Sequence, residues 1–329
     1  MDYQSIKITT KSKSISIHHG FRLIFINREG DKMNVGCVVV TYNKVNYLKK
    51  CLSAIENQSF PIKKIIVIDN SSTDGTKDYM SLKMQRDSRY HYVRLDSNIG
   101  GAGGFNRGLK ELVKFKDIDY AWIMDDDTIP STSALEELVN GFRDLNYKAG
   151  FICSNVRWIN GDYCKMNVPN VSPKDWNEKI SYNLVKVKSA SFVSILIPVD
   201  CIKKVGFPIT EFFIWADDVE YTKRLSRIAP CYFSCKSEVI HEMKTNSSTD
   251  IIEDNHRIDR YYYSYRNRIY IAKKEGIKFF IKEIVIDILK IFEILTKSRK
   301  YKCKKIWVLI KGMLSGLFFN PSVEMYNEK

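Results

Sequence analysis

Short apolar runs alternate with amphipathic stretches through the first half of the chain. Val35 to Val40, "VGCVVV", is a nearly continuous run rich in β-branched residues, as in a parallel strand buried on both faces. Leu48, Leu52 and Ile55 follow at helical spacing. A second buried strand is predicted from Lys63 to Asp69, then a capped helix in "SSTDGTKDYMSLKMQ". A third strand is read at "YHYVRLD", a fourth from Tyr120 to Met124, and another capped helix in "STSALEELVNGF". Such alternation predicts an α/β fold, a mostly parallel central sheet flanked by helices.

The second half is less regular. One or two strands and a short helix are predicted in "YNLVKVKSASFVSILIPVDCIKKVGF", and a strand end, a turn and a helix in "FFIWADDVEYTKRLSRI". A further strand ends near His241, and "HRIDRYYYSYRNRIYIAKKEG" reads as a basic aromatic helix. Residues 1–32 fit none of this. They read as a loosely ordered extension, or as sequence upstream of a start at Met33.

Polar clusters stand at the ends of all four early strands: "TYNK", "DNSSTD", "DSNIGGAGG" and "DDD". Open α/β sheets bind ligands outside the carboxyl ends of their strands, so four clusters in register predict a ligand site. The formal net charge of +14 over 329 residues implies an anionic partner. Eight scattered cysteines, with no zinc-ribbon spacing, read as reduced thiols in a cytosolic protein.

Three consecutive carboxylates repel one another, and a divalent cation such as Mg2+ or Mn2+ removes that penalty. Asp125 and Asp127 point to one side of an extended chain and Asp126 to the other. A solvated acidic turn or a helix cap is the other reading. "NIGGAGGFNRG" carries five glycines in eleven residues. Such a backbone can approach a phosphate or sugar closely, and Arg107 could pair with a diphosphate. A tight helix entry packed on the sheet would also need those glycines.

The series "VVVTYNK", "IIVIDNSSTDGT", "NIGGAGGFNRG", "WIMDDDTIP" and "FFIWADDVEY" resembles the family 2 inverting glycosyltransferases of the GT-A (Rossmann-like) fold, over about Met33 to Arg268. The glycine-doubled loop is most similar to the galactofuranosyltransferase and rhamnosyltransferase branch. The resemblance implies transfer of a sugar, galactofuranose from UDP-galactofuranose or else rhamnose from dTDP-rhamnose, to a cell-surface glycan or lipid-linked acceptor. It places Thr41, Asn43 and Asp69 at the nucleoside, with Lys44 where the branch often has arginine. Asp125, Asp127 and His241 become the metal ligands, with Asp126 at the donor. Asp218 matches the base, and Asp217 is the neighbour most easily confused with it. Helix capping is the competing role for both.

Asn98, Gly101, Gly103, Gly104 and Arg107 complete the donor loop, and Arg266 could reach the diphosphate from the far side. Trp215 offers a flat face to the acceptor sugar, or is an ordinary apolar residue at a strand end. The tyrosines and arginines around Tyr261 and Tyr265 could stack on nucleic acid, or describe a helix packed on a core. The acidic triplet repels phosphates, so nucleic acid is not the expected partner.

The organisation predicted is an extension over 1–32, a catalytic domain over 33–270 and basic amphipathic helices over 271–329. Glu283, Asp287, Lys290, Glu293 and Lys297 form a polar stripe at helical spacing, aliphatic residues fill the rest, and a lysine-rich stretch follows. A broad apolar face beside lysines reads as contact with an anionic membrane surface, or as packing on the catalytic domain or a second subunit. With no spanning segment, the expected location is the cytoplasmic, inner face of the membrane.

Overall fold

Strand β1 (Val35–Thr41) buries every residue, and its two faces feed two different cores. Val35, Cys37 and Val39 enter one, Val38 and Val40 the other. The strand period of two thus explains why the apolar run is continuous rather than alternating. Burying a side chain of this size contributes about 1.5–3 kcal/mol, so each face carries substantial stabilisation. The computed structural model describes residues 33–246 and 250–328; the extension expected over 1–32 lies outside the described residues.

β2 (Ile62–Asp69), β3 (Tyr90–Arg94) and β4 (Tyr120–Asp125) join β1 in parallel, in the order β3-β2-β1-β4. The sheet continues through β9 (Ile195–Pro198), β6 (Ile152–Arg157), β10 (Cys231–His241), β8 (Leu184–Ser189) and β7 (Asn170–Val171). Here it is mixed: β9 runs antiparallel to both β4 and β6, while β10 is parallel to β6 and antiparallel to β8. A short β5 (Thr128–Pro130), not foreseen from sequence, pairs antiparallel with the end of β10. Three residues are too few to show a period.

Helices α1 (Val45–Glu56), α2 (Thr76–Arg86) and α4 (Ala134–Asp144) cover one face; α3 (Gly100–Leu112), α5 (Val199–Val205) and α6 (Asp217–Ile228) cover the other. Two expectations need correction. The glycine cluster is not a loop: its glycines lie within α3, and Gly104 and Gly108 are the ones that pack against β1. No strand forms in "FFIW"; residues Thr210–Phe212 make a 3-10 turn, followed by a bend into α6.

Beyond the sheet, α7 (Tyr261–Glu275) packs against α8 (Ile277–Lys297) and α9 (Lys302–Phe318). Cβ atoms at Gly312 and Gly316 would come within 2.7 Å of the Tyr262 carbonyl and 2.6 Å of Ile269, so α9 lies directly on α7. The chain then returns to the segment before α6, where Phe207 N donates to the Glu324 carbonyl and Phe319 packs on Phe212.

Candidate active site

Parallel pairing brings the strand ends together. Thr41 stands opposite Asp69, Val40 opposite Asp125, and Asp69 opposite Arg94. The turns beyond them are latched to one another. Asn43 Oδ1 accepts from Thr73 N at 2.7 Å, and Asn43 N donates to Ser72 Oγ at 2.9 Å. Asp69 is fully buried; its oxygens accept from Ser72 N at 2.8 Å and from the Tyr92 hydroxyl at 2.6 Å. Its visible work is therefore to hold the turn after β2.

The acidic triplet closes the edge. Asp126 accepts from Thr41 Oγ1 at 2.7 Å. Lys44 Nζ sits between two carboxylates, 2.7 Å from Asp127 Oδ2 and 3.3 Å from Asp126 Oδ1. Burial pushes Asp126 up to about 6, although Lys44 opposes the rise. Asp125 is also raised, by burial and by the Asp127 charge. Burial opposes ionisation of Asp127 as well, but His241 and Lys44 outweigh it and hold that carboxyl well below the usual range.

His241 arrives through strand register. β10 pairs with β5 so that His241 faces Thr128, the residue after Asp127. Its Nε2 lies 3.1 Å from Asp127 Oδ1, and its Nδ1 lies 2.8 Å from Asn167 Oδ1. Asn167 donates its own amide to Ser191 Oγ at 2.8 Å, so its oxygen faces the ring. Nδ1 therefore donates to Asn167; burial opposes a charge on His241, but its bond to Asp127 outweighs this and raises it to about 10, so Nε2 is protonated as well and donates to Asp127. Sequence reading missed Asn167, which sits in the irregular segment before β7.

Two ligands of one octahedral ion at metal–ligand distances of about 2.1 Å stand about 3 Å apart. The Asp127–His241 spacing and the oxygen–imidazole chemistry fit a divalent cation on that criterion. A ready cluster of three or more acidic, histidine or cysteine ligands is absent among the described residues.

The other carboxylates open α6. Asp217 is buried and Asp218 partly so. Burial raises both, Asp218 to about 6; the Asp218 and Asp125 charges push Asp217 up further, which ties α6 electrostatically to the triplet. Asp218 Oδ1 accepts from Val219 N at 2.7 Å, a contact to the next residue and not a cap, since Ala216 holds the N-cap position and the helix has no side-chain capping bond. The bend leading here is strained: Phe213, Trp215 and Ala216 have φ of 63°, 65° and 65°. Each such non-glycine residue costs on the order of 1–3 kcal/mol, a pattern concentrated at functional sites.

Several sequence expectations change. Gly103 and Gly104 are excluded from having side chains by the protein itself: Cβ atoms there would lie 2.6 Å from Ile99 and 2.4 Å from Val40. Gly100, at φ +78°, gives way to the Phe213 carbonyl, which a Cβ would meet at 2.0 Å. Gly101 alone of that group faces open space. Asn98 Oδ1 accepts from Gly100 N at 2.9 Å and shapes the entry to α3. The Arg107 guanidinium is taken by Glu111 at 2.8 Å on the same helix, so it does not face the strand ends.

Arg266 is turned away from the triplet as well. It donates to the carbonyls of Glu211 and Phe212 and lies over the Phe319 ring at 3.9 Å. Trp215 meets Tyr261 edge-on at 4.9 Å, within the cluster formed by α7 and α9. A separate cavity of about 450 Å3 lies between α6, α7 and the C-terminal segment, lined by Lys223, Arg227, Lys274 and Val323; none of the carboxylates Asp125–Asp127, Asp217 or Asp218 lines it.

Residues 37–185 match the family model described as "Glycosyl transferase family 2". The galactofuranosyltransferase GlfT1 of Mycolicibacterium smegmatis is 24% identical over 264 residues, 74% of this chain and 84% of that protein. A Bacillus subtilis protein named for teichuronic acid biosynthesis, TuaG, is 33% identical over 95 residues, 28% of this chain and 38% of that one. The match thus spans well under half of TuaG. Among solved structures, GalNAc-T7 with UDP, GalNAc and Mn2+ superposes with a TM-score of 0.58 at 11% identity, covering 73% of this chain and 48% of that one. Residues 1–349 of S. aureus TarS in complex with UDP give 0.50 at 18% identity, covering 87% and 72%. At these identities the likeness is one of fold, and the fold is GT-A-like.

Proposed function

We propose that this chain, whose residues 37–185 match the glycosyl transferase family 2 model, is a glycosyltransferase that moves galactofuranose from UDP-galactofuranose, with inversion, to a hydroxyl of a cell-surface glycan or lipid-linked acceptor. What supports this is the acidic triplet at the end of β4 together with Asp217 and Asp218 at the start of α6, with Asp217 within reach of the Asp125 charge. The similarity to GlfT1 supports the choice of sugar.

Inversion requires a base on the side opposite the leaving group. Asp218 takes that role: its raised pKa gives it the basicity to accept the acceptor's proton while it remains ionised at neutral pH. Asp217, more deeply buried, shapes the field around it. Asp127 and His241, with Asp125 beside them, would hold a divalent cation. Such an ion, when bound, stabilises the departing nucleoside diphosphate. Lys44 adds a second positive charge at the same edge, and Thr41 keeps Asp126 oriented toward it. Incubation with a panel of UDP-sugars and dTDP-rhamnose, with Mn2+ and a glycan acceptor, should release nucleotide fastest from UDP-galactofuranose. Release from none of them overturns the proposal.

The same reading places the enzyme against an anionic membrane. Among the described residues, no helix is long and apolar enough to cross one. Yet α8 exposes Ile277, Phe279, Ile281, Leu289 and Phe292, each more than half accessible, with Lys278, Lys282, Arg299 and Lys300 exposed nearby. Apolar faces of that extent mark interaction sites, and flanking cations favour anionic lipid.

A further inference from the structure

The bend between Thr210 and Ala216 holds three non-glycine residues at positive φ, and it ends where α6 begins with Asp217 and Asp218. Strained backbone of this kind persists only where its surroundings over-determine it. Here the surroundings can be named, because five consecutive carbonyls are each held. Arg266 Nη2 donates to Glu211 O at 2.5 Å and to Phe212 O at 3.3 Å. Ala102 N, in the first turn of α3, donates to Phe213 O at 3.2 Å. Asn267 Nδ2 donates to Phe212 O at 3.0 Å, Ile214 O at 3.3 Å and Trp215 O at 2.8 Å.

Asn267 is the centre of this arrangement. It is wholly buried, and its amide nitrogen reaches carbonyls on both sides of Phe213 and the one just before Ala216. Its own oxygen accepts from Arg266 Nε at 3.0 Å, which fixes the amide so that the nitrogen faces the bend. An amide that spans three carbonyls sets their relative positions, and with them the direction in which α6 starts. The sheet and the helices that cover it do not supply this residue; it comes from α7, beyond the last strand.

We infer that Asn267 is a positioning residue for the reaction: by holding the carbonyls of Phe212, Ile214 and Trp215 it sets the place of Asp217 and Asp218 against the acidic triplet. This rests on the proposed role of those two carboxylates as the site of the base. Asn267 touches neither substrate nor the reacting atoms, so its loss should appear in turnover rather than in donor binding.

The test uses the full chain with UDP-galactofuranose, Mn2+ and a glycan acceptor. N267A should lower kcat by at least about tenfold, as expected when a reacting group is misplaced by an ångström or less, with donor KM within about twofold of wild type. A216G, which relieves the strain at φ 65°, should restore the thermal stability of N267A without restoring its kcat. If N267A does not fold, N267S keeps one donor at that position and is measured in its place. Two results overturn the role: kcat of N267A within about twofold of wild type, or kcat of N267A/A216G equal to that of A216G alone. D217N and D218N, measured alongside, keep the premise separate. Normal turnover by both removes the base from α6, and this role with it. An inactive D218N beside a normal N267A removes the role of Asn267 only.

Discussion

Asp127 and His241 are 114 residues apart in the chain, yet His241 Nε2 lies 3.1 Å from Asp127 Oδ1 because β5 turns straight back along the end of β10. The two form an ion pair, and a cation would have to displace the proton on Nε2: the imidazole's other nitrogen is occupied by Asn167, and the carboxylate is already ionised. H241A and D127A should each weaken Mn2+ binding at least about tenfold, read by titration with the ion alone. Excess chelator should abolish nucleotide release. Full activity in chelator would remove the metal from this site.

Asp218 should show itself twice in pH dependence. As base it must be ionised, so kcat/KM should fall about tenfold per unit below pH about 6. D218N should lower turnover by roughly two to four orders of magnitude with donor binding retained. The stability effect has the opposite direction. A carboxyl raised from its ordinary value to about 6 contributes stability below pH about 4 that is lost as pH rises through 6. D218N, whose amide oxygen can still accept from Val219 N, should therefore stabilise the fold at pH 7.5 by on the order of 1–3 kcal/mol and leave it unchanged near pH 4. A denaturation series at both pH values checks this. A melting temperature that shifts equally at both places the effect elsewhere.

The glycines of α3 divide into two kinds. G104A puts a methyl group 2.4 Å from Val40 Cγ1 and should cost about 1–3 kcal/mol by overpacking. G103V meets Ile99 at 2.6 Å and should likewise lower stability. G101A meets nothing within 4 Å, so its melting temperature should be unchanged or slightly higher. If the donor passes over the start of α3, donor KM should rise severalfold in G101A alone. Unaltered KM there means that the glycines serve packing only.

For the helical hairpin, point variants on the exposed face are the appropriate probe. A chain cut before α8 would also lose α9, and with it Lys305, which is buried and donates to the Ile252 carbonyl at 2.6 Å. L289E/F292E changes only accessible positions. It should abolish co-sedimentation with anionic vesicles and leave nucleotide release with a soluble acceptor intact. High salt should release part of the bound wild type, since screening acts over about 10 Å at 0.1 M. Loss of a dimer in sedimentation, with vesicle binding unaffected, would assign the face to a second copy.

Much of this site could be read along the chain because parallel strands bring local motifs to one edge. Thr41, Asp69 and Asp125 each end a strand whose apolar run announces it, so their meeting follows from the fold class. The unread part depends on partners distant in sequence. Nothing near "GGAGG" shows that Val40, Ile99 and the Phe213 carbonyl crowd it, so a packing requirement resembled a ligand loop. Arg266 resembled a diphosphate ligand for the same reason, since its carbonyl partners at Glu211 and Phe212 lie 55 and 54 residues away. Asn167 and Asn267 had no periodicity to mark them; their importance lies in the side-chain oxygen of one and nitrogen of the other.

Arg266, Asn267 and Arg268 are consecutive, and they face different ways. The first two grip the bend before α6, while Arg268 binds Asp287 at 2.8 Å, and Glu283, on α8. On its other flank α7 is locked to α9 by Gly312 and Gly316, where any side chain would strike backbone. One rigid helix therefore separates the face that α8 turns outward from the carboxylates that open α6. A surface resting on α8 fixes the height at which chemistry occurs above it. If that surface is the proposed membrane, this spacing would act as a ruler, and an acceptor would be extended only where its end reaches that mark.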